Sequence, residues 1–282
     1  MRHLKLICLI GDPVEHSISP VIHNEVFKKL GLNYVYLAFR VISNELEHAV
    51  RGLKALGAVG FNVTLPHKVA IIKYLDELST EARSVGSVNT VVNSDGRLVG
   101  YNTDVVGVTN TFKSLGVSLH GTSVVVLGAG GASRAVLHTL ASNDSSRIYV
   151  INRTLEKAVE LANEFSSKFP HTEFKPMSLT LSNLKNALEE SQILINTTSV
   201  GMYPKVNESL IPPELLRNDL IVFDIVYNPV ETKLLRDAKS VGAKTIDGVN
   251  MLVHQAAASF RLWTGVEPPL NFMFDVAYSS LR

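Results

Sequence analysis

Ser123-Val124-Val125-Val126-Leu127-Gly128-Ala129-Gly130-Gly131-Ala132-Ser133 is the stretch that decides the fold of this chain. The run Val124 to Leu127 suits a strand buried on both faces, as in a parallel sheet, and it empties directly into a glycine turn followed by helical spacing. Glycines let the backbone turn tightly and approach a ligand, and a helix N-terminus offers unpaired N–H groups and a partial positive charge. This order predicts a cradle for a dinucleotide pyrophosphate over Gly128, Ala129, Gly130, Gly131 and Ala132. A turn kept for packing alone is the alternative, and the strand before and helix after weigh against it. Ser133 stands where a third glycine or alanine is usual.

The next strand, Ile148 to Ile151, ends in Asn152-Arg153-Thr154, with Lys157 one turn on. An NAD enzyme usually carries an acidic residue there for the ribose hydroxyls. Here the acid is absent and cations are present. A guanidinium grips a 2′-phosphate with paired charged hydrogen bonds, so NADP is expected rather than NAD. The competing reading is that Arg153 and Lys157 are ordinary solvated charges.

Alternation of strand and helix extends outward from this unit. Strands are expected at Leu4 to Ile10, Tyr34 to Phe39 and Val59 to Val63. Helices are expected from Ser19-Pro20 to Leu30, over Glu45 to Leu56 with Asn44 and Glu47 as a capping box, and from Pro66 onward. Val88 to Val92, the turn Asn93 to Gly96 and Leu98 to Gly100 predict an antiparallel edge. A helix over Val105 to Leu115 leads to the second strand series, with helices at Ala132 to Leu140 and Leu155 to Phe165 and strands near Ile193, Ile221 to Asp224 and Ala243 to Ile246. A long helix, Gly248 to Trp263, and a terminal helix follow. The fold class is α/β in two domains. Residues 1–104 form a mostly parallel α/β substrate domain, 105–246 a Rossmann-type doubly wound NADP-binding domain, and 247–282 helices that return to the first.

Totals restrict the partners. A formal net charge of +1 provides no basic field for nucleic acid. The single cysteine, Cys8, excludes an internal disulfide framework and suits a reducing compartment, so the cytoplasm is expected. Arg2 and Lys5 precede an apolar stretch that stops at Gly11-Asp12-Pro13, too short for a signal-peptide core, and no apolar run approaches the roughly 20 residues that span a bilayer. None of the nine histidines, His3 and His254 included, shows metal-ligand spacing, so no metal is expected.

The first domain carries clusters of short polar groups. In His16-Ser17-Ile18-Ser19-Pro20 an extended backbone turns both hydroxyls to one side, as a carboxylate requires, while Ser19 alone also reads as a helix cap. In Asn62-Val63-Thr64-Leu65-Pro66-His67-Lys68, Pro66 at the first helical position sets Lys68 in the first turn, where a cation opposes the dipole. Local rules are most often broken at functional sites. Val88-Asn89-Thr90 and Asn102-Thr103-Asp104 add amides, hydroxyls and a carboxylate, Asp104 also reading as a cap. Hydroxyls, amides, one lysine and one carboxylate suit a small polyhydroxylated substrate.

This series resembles the shikimate dehydrogenase family over nearly the whole chain. The resemblance rests on Ser17-x-Ser19, Asn62-x-Thr64-x-Pro66-x-Lys68, Val88-Asn89-Thr90, Gly100-Tyr101-Asn102-Thr103-Asp104, Gly128 to Ala132, Asn152-Arg153-Thr154 and Gly248-x-x-Met251-Leu252-x-x-Gln255. It implies NADPH-dependent, reversible reduction of 3-dehydroshikimate to shikimate, on the route to aromatic amino acids. It further implies that Lys68 and Asp104 serve the reacting oxygen, that Ser17, Ser19 and Tyr227 hold the substrate carboxylate, and that Thr64, Asn89 and Gln255 hold ring oxygens. Ile225 and Gly248 are expected at the nicotinamide end, and a homodimer is the partner arrangement left open. Lys157 stands where many NADP-using relatives carry arginine, so its grip is a point charge and a weaker cofactor preference is expected.

A quinate/shikimate dehydrogenase working with NAD is the near rival, disfavoured by the missing acid after Ile151. A regulatory module that keeps the fold without the chemistry predicts vacant positions at Lys68 and Asp104, and both are filled. A fused second enzyme has no residues left to it.

Overall fold

The structure is a computed structural model that describes residues 4–282, so the expectations placed on Arg2 and His3 lie outside it. Two compact units divide the chain, one of residues up to Gly107 with Val253–Ser280, the other Val108–Leu252. Both changeovers fall inside helices, α4 (Thr103–Ser114) and α9 (Gly248–Thr264).

In the first unit β1 (Lys5–Gly11) runs parallel to both β2 (Tyr34–Arg40) and β3 (Gly60–Val63). β3 pairs antiparallel with β5 (Thr90–Ser94), which turns back on β6 (Arg97–Tyr101). A two-residue strand, β4 (Glu77–Leu78), closes the order β2-β1-β3-β5-β6-β4. The β5–β6 turn has Asp95 at φ 52° and Gly96 at φ 88°, the left-handed pair that two-residue hairpins favour. The outer edge of β2 is closed at one point by a side chain from α1 (Ser19–Lys29). There Asn24 Nδ2 donates to Tyr36 O at 2.9 Å and its Oδ1 accepts from Tyr36 N at 2.8 Å, so an amide stands in for a missing strand. α9 is fastened over β3 and β5 by Trp263, whose indole N–H donates to Val91 O at 2.9 Å. Gly60 permits this approach, because a Cβ there would sit 2.3 Å from both the indole nitrogen and Val91 O.

Two local expectations fail in this unit. The helix α2 (Leu46–Ala55) opens after a 3-10 turn at Ser43–Glu45, so Glu45 takes the N-cap position without a side-chain bond and the Asn44–Glu47 box does not form. No α-helix starts at Pro66. His67 N bonds back to Thr64 O, and the carbonyl of Lys68 is claimed by Val88 N at 2.8 Å, so residues 66–69 form a turn that leads into a 3-10 segment at Ala70–Tyr74. A short helix, α3 (Thr80–Val85), went unread although its signals are local. Ser79 Oγ caps Ala82 N, and Gly86 at φ 69° ends it.

The second unit is wholly parallel. β7 (Ser123–Leu127) is central and β8 (Arg147–Asn152), β9 (Glu173–Ser178), β10 (Ile193–Asn196), β11 (Ile221–Asp224) and β12 (Lys244–Ile246) give the order β12-β11-β10-β7-β8-β9. This is the doubly wound order, whose direction reverses between β7 and β10 and opens a crevice at the carboxyl ends of those strands. Val124 and Val126 pack into one apolar layer with Phe112 and Phe223, while Val125 and Leu127 pack into the other with Tyr149 and Leu184. The continuous apolar run is thereby explained, since both faces of β7 are covered by helices such as α5 (Gly131–Ser142), α6 (Leu155–Lys168) and α7 (Leu181–Glu189). β9, α7 and α8 (Lys233–Ser240) were not anticipated; α7 and α8 each open on a threonine cap, Thr180 and Thr232. The terminal α10 (Leu270–Ser280) ends the chain, and no described helix is long and apolar enough to cross a membrane.

Candidate active site

In the first unit the turn after β3 and the start of α4 bring Lys68 and Asp104 together. Lys68 Nζ donates to Asp104 Oδ2 at 2.6 Å, with side chains 17% and 5% exposed. An ion pair this enclosed is screened little by salt, and removing one member strands the other in a poorly solvated place. Asp104 is the second residue of α4 and so stands inside its first turn, not at the N-cap position that the capping alternative requires. Its second oxygen, Oδ1, accepts from Asn89 Nδ2 at 2.9 Å. Both carboxylate oxygens are thus occupied, and the carboxylate holds Lys68 in one place.

Asn89 sits just before β5 and cannot flip. Thr103 N donates to its Oδ1 at 2.7 Å, so its Nδ2 is left to face Asp104 and, at 3.4 Å, Gln255 Oε1 on α9. The turn that carries Lys68 is pinned from two sides, by His67 Nε2 against Val41 O at 2.6 Å and by Thr64 N donating to Ile10 O at 2.9 Å. Lys68 is not in the first turn of a helix opened by Pro66, which removes the dipole argument made from that proline. Thr64 and Gln255 are both half-buried.

Ser17 and Ser19 are brought together differently from expectation. Ile18 takes the N-cap position in the right-handed region at φ −89° and ψ 0°, so the backbone turns where an extended one was expected. Ser17 Oγ then accepts from Ser19 N at 3.3 Å, and Ser19 is the first residue of α1 and not its cap. The turn arises because Ser17 N bonds to Val14 O at 3.0 Å.

In the second unit the expected cofactor residues gather at the carboxyl ends of β7, β8 and β11. Gly128 has φ +107°, and a Cβ there would stand 2.8 Å from Thr197 Oγ1, so only glycine fits. Gly130 differs. Its φ is −102°, open to any residue, and no protein atom lies within 4 Å of where its Cβ would be. Space held open over the N–H groups that begin α5 is what a pyrophosphate needs, so these residues fit a dinucleotide. Ser133, the departure from the fingerprint, is buried and knits the loop. Its Oγ accepts from Gly130 N at 3.1 Å and meets Thr197 Oγ1 at 2.6 Å, and that hydroxyl donates to Leu127 O at 2.6 Å. Thr197 was missed, and the polar run Asn196-Thr197-Thr198-Ser199 after an apolar strand was its only signal.

Asn152 closes its turn through Nδ2 donating to Thr154 O at 2.8 Å, and Thr154 caps α6 through its backbone alone. Arg153 and Lys157 are exposed and enter no ion pair among the described residues, which leaves both cations free for a phosphate. Gly248 is needed for space, since a Cβ would come 2.4 Å from Ile225 O and 2.5 Å from Val226 O. Tyr227, in the same connection, is half-buried. Asp224, unread from the sequence, organises that connection from β11. It accepts from Asn196 Nδ2, Val226 N and Thr232 Oγ1, while burial pushes its pKa up to about 6 against these three donors.

Among the described residues no group of three or more histidine, cysteine or acidic side chains could hold a metal ion. The chain matches the shikimate dehydrogenase substrate binding domain over residues 9–91, shikimate / quinate 5-dehydrogenase over 110–251 and the shikimate 5′-dehydrogenase C-terminal domain over 248–275. It is 47% identical to the shikimate dehydrogenase (NADP(+)) of Methanocaldococcus jannaschii over 270 residues, which is 95% of this chain and 94% of that one. A shikimate dehydrogenase solved with NADP+ superposes with a TM-score of 0.90 at 44% identity, over 99% of this chain and 96% of its own. A shikimate 5-dehydrogenase from Listeria monocytogenes, solved with shikimate and NAD, gives 0.88 at 40% identity over 98% and 97%.

Proposed function

The chain belongs to the shikimate dehydrogenase family, and on that premise we propose that Lys68 and Asp104 perform the proton transfer of its reaction. That reaction is the NADP-dependent, reversible reduction of 3-dehydroshikimate to shikimate. The observation that carries the proposal is the enclosed 2.6 Å pair, locked from behind by Asn89. Reduction of a ketone leaves negative charge growing on its oxygen, and a positive N–H donor fixed beside that oxygen lowers the barrier. Lys68 supplies the donor and the proton. Asp104 keeps the ammonium aimed and accepts a hydrogen bond from the neighbouring hydroxyl. In the oxidative direction neutral Lys68 takes the proton back. NADPH, when bound, supplies the hydride.

The polar groups of the first unit are assigned to the substrate as the family resemblance implies, Ser17 and Ser19 to the carboxylate and Thr64, Asn89 and Gln255 to ring oxygens. Tyr227 is assigned to the carboxylate on the same ground. In the second unit Gly128 to Ala132 take the pyrophosphate, Asn152 to Thr154 with Lys157 the adenosine 2′-phosphate, and Ile225 and Gly248 the nicotinamide. Two free cations and the absence of a carboxylate after β8 support NADP. Nicotinamide absorbance followed with 3-dehydroshikimate and NADPH, then with NADH, tests substrate and cofactor together. Turnover with NADPH and little with NADH is expected; no turnover with either sinks the reading.

A second copy of the chain is the protein partner we infer, on the support of Leu37 and Phe39, 43% and 41% exposed on the edge strand β2. A monomer mass by light scattering overturns this. A reducing cytoplasm suits a chain whose one thiol, Cys8, is buried and free, and cell fractionation checks it.

A further inference from the structure

Thr90, Thr103 and Ser259 set their hydroxyl oxygens in a closed triangle inside the first unit. Thr90 and Ser259 are 2.8 Å apart, Thr103 and Ser259 2.9 Å, and Thr90 and Thr103 3.1 Å. Thr90 and Ser259 have no exposure and Thr103 has 3%, so these groups meet neither solvent nor substrate directly. They come from three different elements, β5, α4 and α9, and each stands beside a residue assigned to the substrate. Asn89 precedes Thr90, Asp104 follows Thr103, and Gln255 lies one turn before Ser259, whose hydroxyl donates to Gln255 O at 3.0 Å.

The triangle is held in turn. Asn62 Nδ2 donates to Thr90 Oγ1 at 3.0 Å and to Asn89 O at 3.0 Å, while its Oδ1 accepts from Tyr36 Oη at 2.7 Å. A trio of buried hydroxyls adds little net stability over apolar groups of the same shape, because each hydrogen bond replaces one made to water. Directionality is what apolar contacts lack. A hydrogen bond weakens steeply away from its preferred angle, so bonds donated by Thr90 and Thr103 within the triangle, with Ser259 donating on to Gln255 O, fix the mutual register of the three backbones.

We propose that the Thr90–Thr103–Ser259 triangle is the positioning device of the substrate site, setting Asn89, Asp104 and Gln255 relative to one another. Ser259 is the member through which α9 delivers Gln255. None of the three is a catalytic residue; they act through their neighbours. The inference rests on the dehydrogenase reading of the same site.

The test compares Ser259→Ala, Thr103→Val and Thr103→Ser with the wild type in shikimate oxidation by NADP+, with NADP+ affinity titrated separately and unfolding temperature recorded. The first two are expected to lower kcat/KM for shikimate on the order of tenfold or more, as sub-ångström misplacement of reacting groups does. NADP+ affinity stays at the wild-type value, and Thr103→Ser, which keeps the hydroxyl, recovers most of the loss. Wild-type kcat and KM in Ser259→Ala and Thr103→Val, with only the unfolding temperature lowered, would make the triangle mere packing and overturn the proposal. Equal losses in Thr103→Ser and Thr103→Val overturn it too. If Thr103→Val does not fold, Ser259→Ala decides by the same criteria. A wild type that fails to oxidise shikimate removes the dehydrogenase reading and the proposal with it, an outcome distinct from active wild type with unaffected variants.

Discussion

At the scale of single residues the proposed chemistry rests on one enclosed ion pair. Lys68→Met removes the donor with little change in volume, and turnover is expected to fall by about 10²- to 10⁴-fold while shikimate affinity changes far less. Stopped-flow single turnovers check this, and near-normal rates would take Lys68 out of the mechanism. His23 is a different case. Its ring stacks on Tyr36 at 4.5 Å with no exposure and no hydrogen-bond partner for either nitrogen, and burial pushes its pKa down to about 3. The folded state therefore holds His23 neutral while the unfolded chain takes a proton near pH 6.5. Its contribution is whole above that value and shrinks as pH falls toward 3, by about 1.4 kcal/mol per pH unit. Between pH 7 and pH 5 the wild type should lose about 2 kcal/mol from this group, a loss that His23→Leu abolishes. Asp224 acts with the opposite sign. Its pKa is raised to about 6, so its contribution is whole below the ordinary carboxylate value and is lost as pH rises through 6. Comparing wild type with His23→Leu in denaturant at both pH values isolates the histidine, and parallel curves would refute the assignment.

At the scale of elements the glycine loop separates two roles that the fingerprint merges. Gly128 is required by the fold, through φ +107° and the crowding of Thr197, whereas Gly130 has an ordinary φ and only open space before it. Gly130→Ala is thus expected to leave the unfolding temperature nearly unchanged and to weaken NADPH binding on the order of tenfold or more, because the added methyl stands where the proposed binding mode brings the pyrophosphate close. Gly128→Ala is expected to lower both stability and affinity. Calorimetric titration and thermal melts on the two variants decide it; unaltered NADPH affinity in Gly130→Ala would refute the placing of the phosphate. The loop also shows what a local fingerprint misses. Ser133, a mismatch in sequence, serves as the bridge from Gly130 to Thr197, a residue 64 positions away. In the other unit the helix expected at Pro66 gave way to a turn because Val88 takes the carbonyl of Lys68, and no window around Pro66 contains Val88.

At the scale of the whole molecule, alternation of strand and helix was enough for the α/β class, for two sheets and for the cofactor half, because a strand covered on both faces reads as an unbroken apolar run. Val124 to Leu127 is that run, and its side chains do divide between two packed layers. The chemical alphabet of the first unit was also legible, as was the family, since those motifs are contiguous in the chain. What tertiary structure alone decided is which polar groups meet. Asp104 reads in sequence as a cap or as a site carboxylate, and only the folded chain shows that it pairs with Lys68, 36 residues earlier, at 2.6 Å. Ser259 carries no local mark at all, and nothing in Val88-Asn89-Thr90 points to it, although the hydroxyls of Thr90 and Ser259, 169 residues apart, are joined at 2.8 Å. Periodicity and turn chemistry act over one or two turns of chain, so they specify elements and short motifs. Hydrogen bonds between side chains of distant elements depend on where packing brings their backbones, and only the folded chain contains that information.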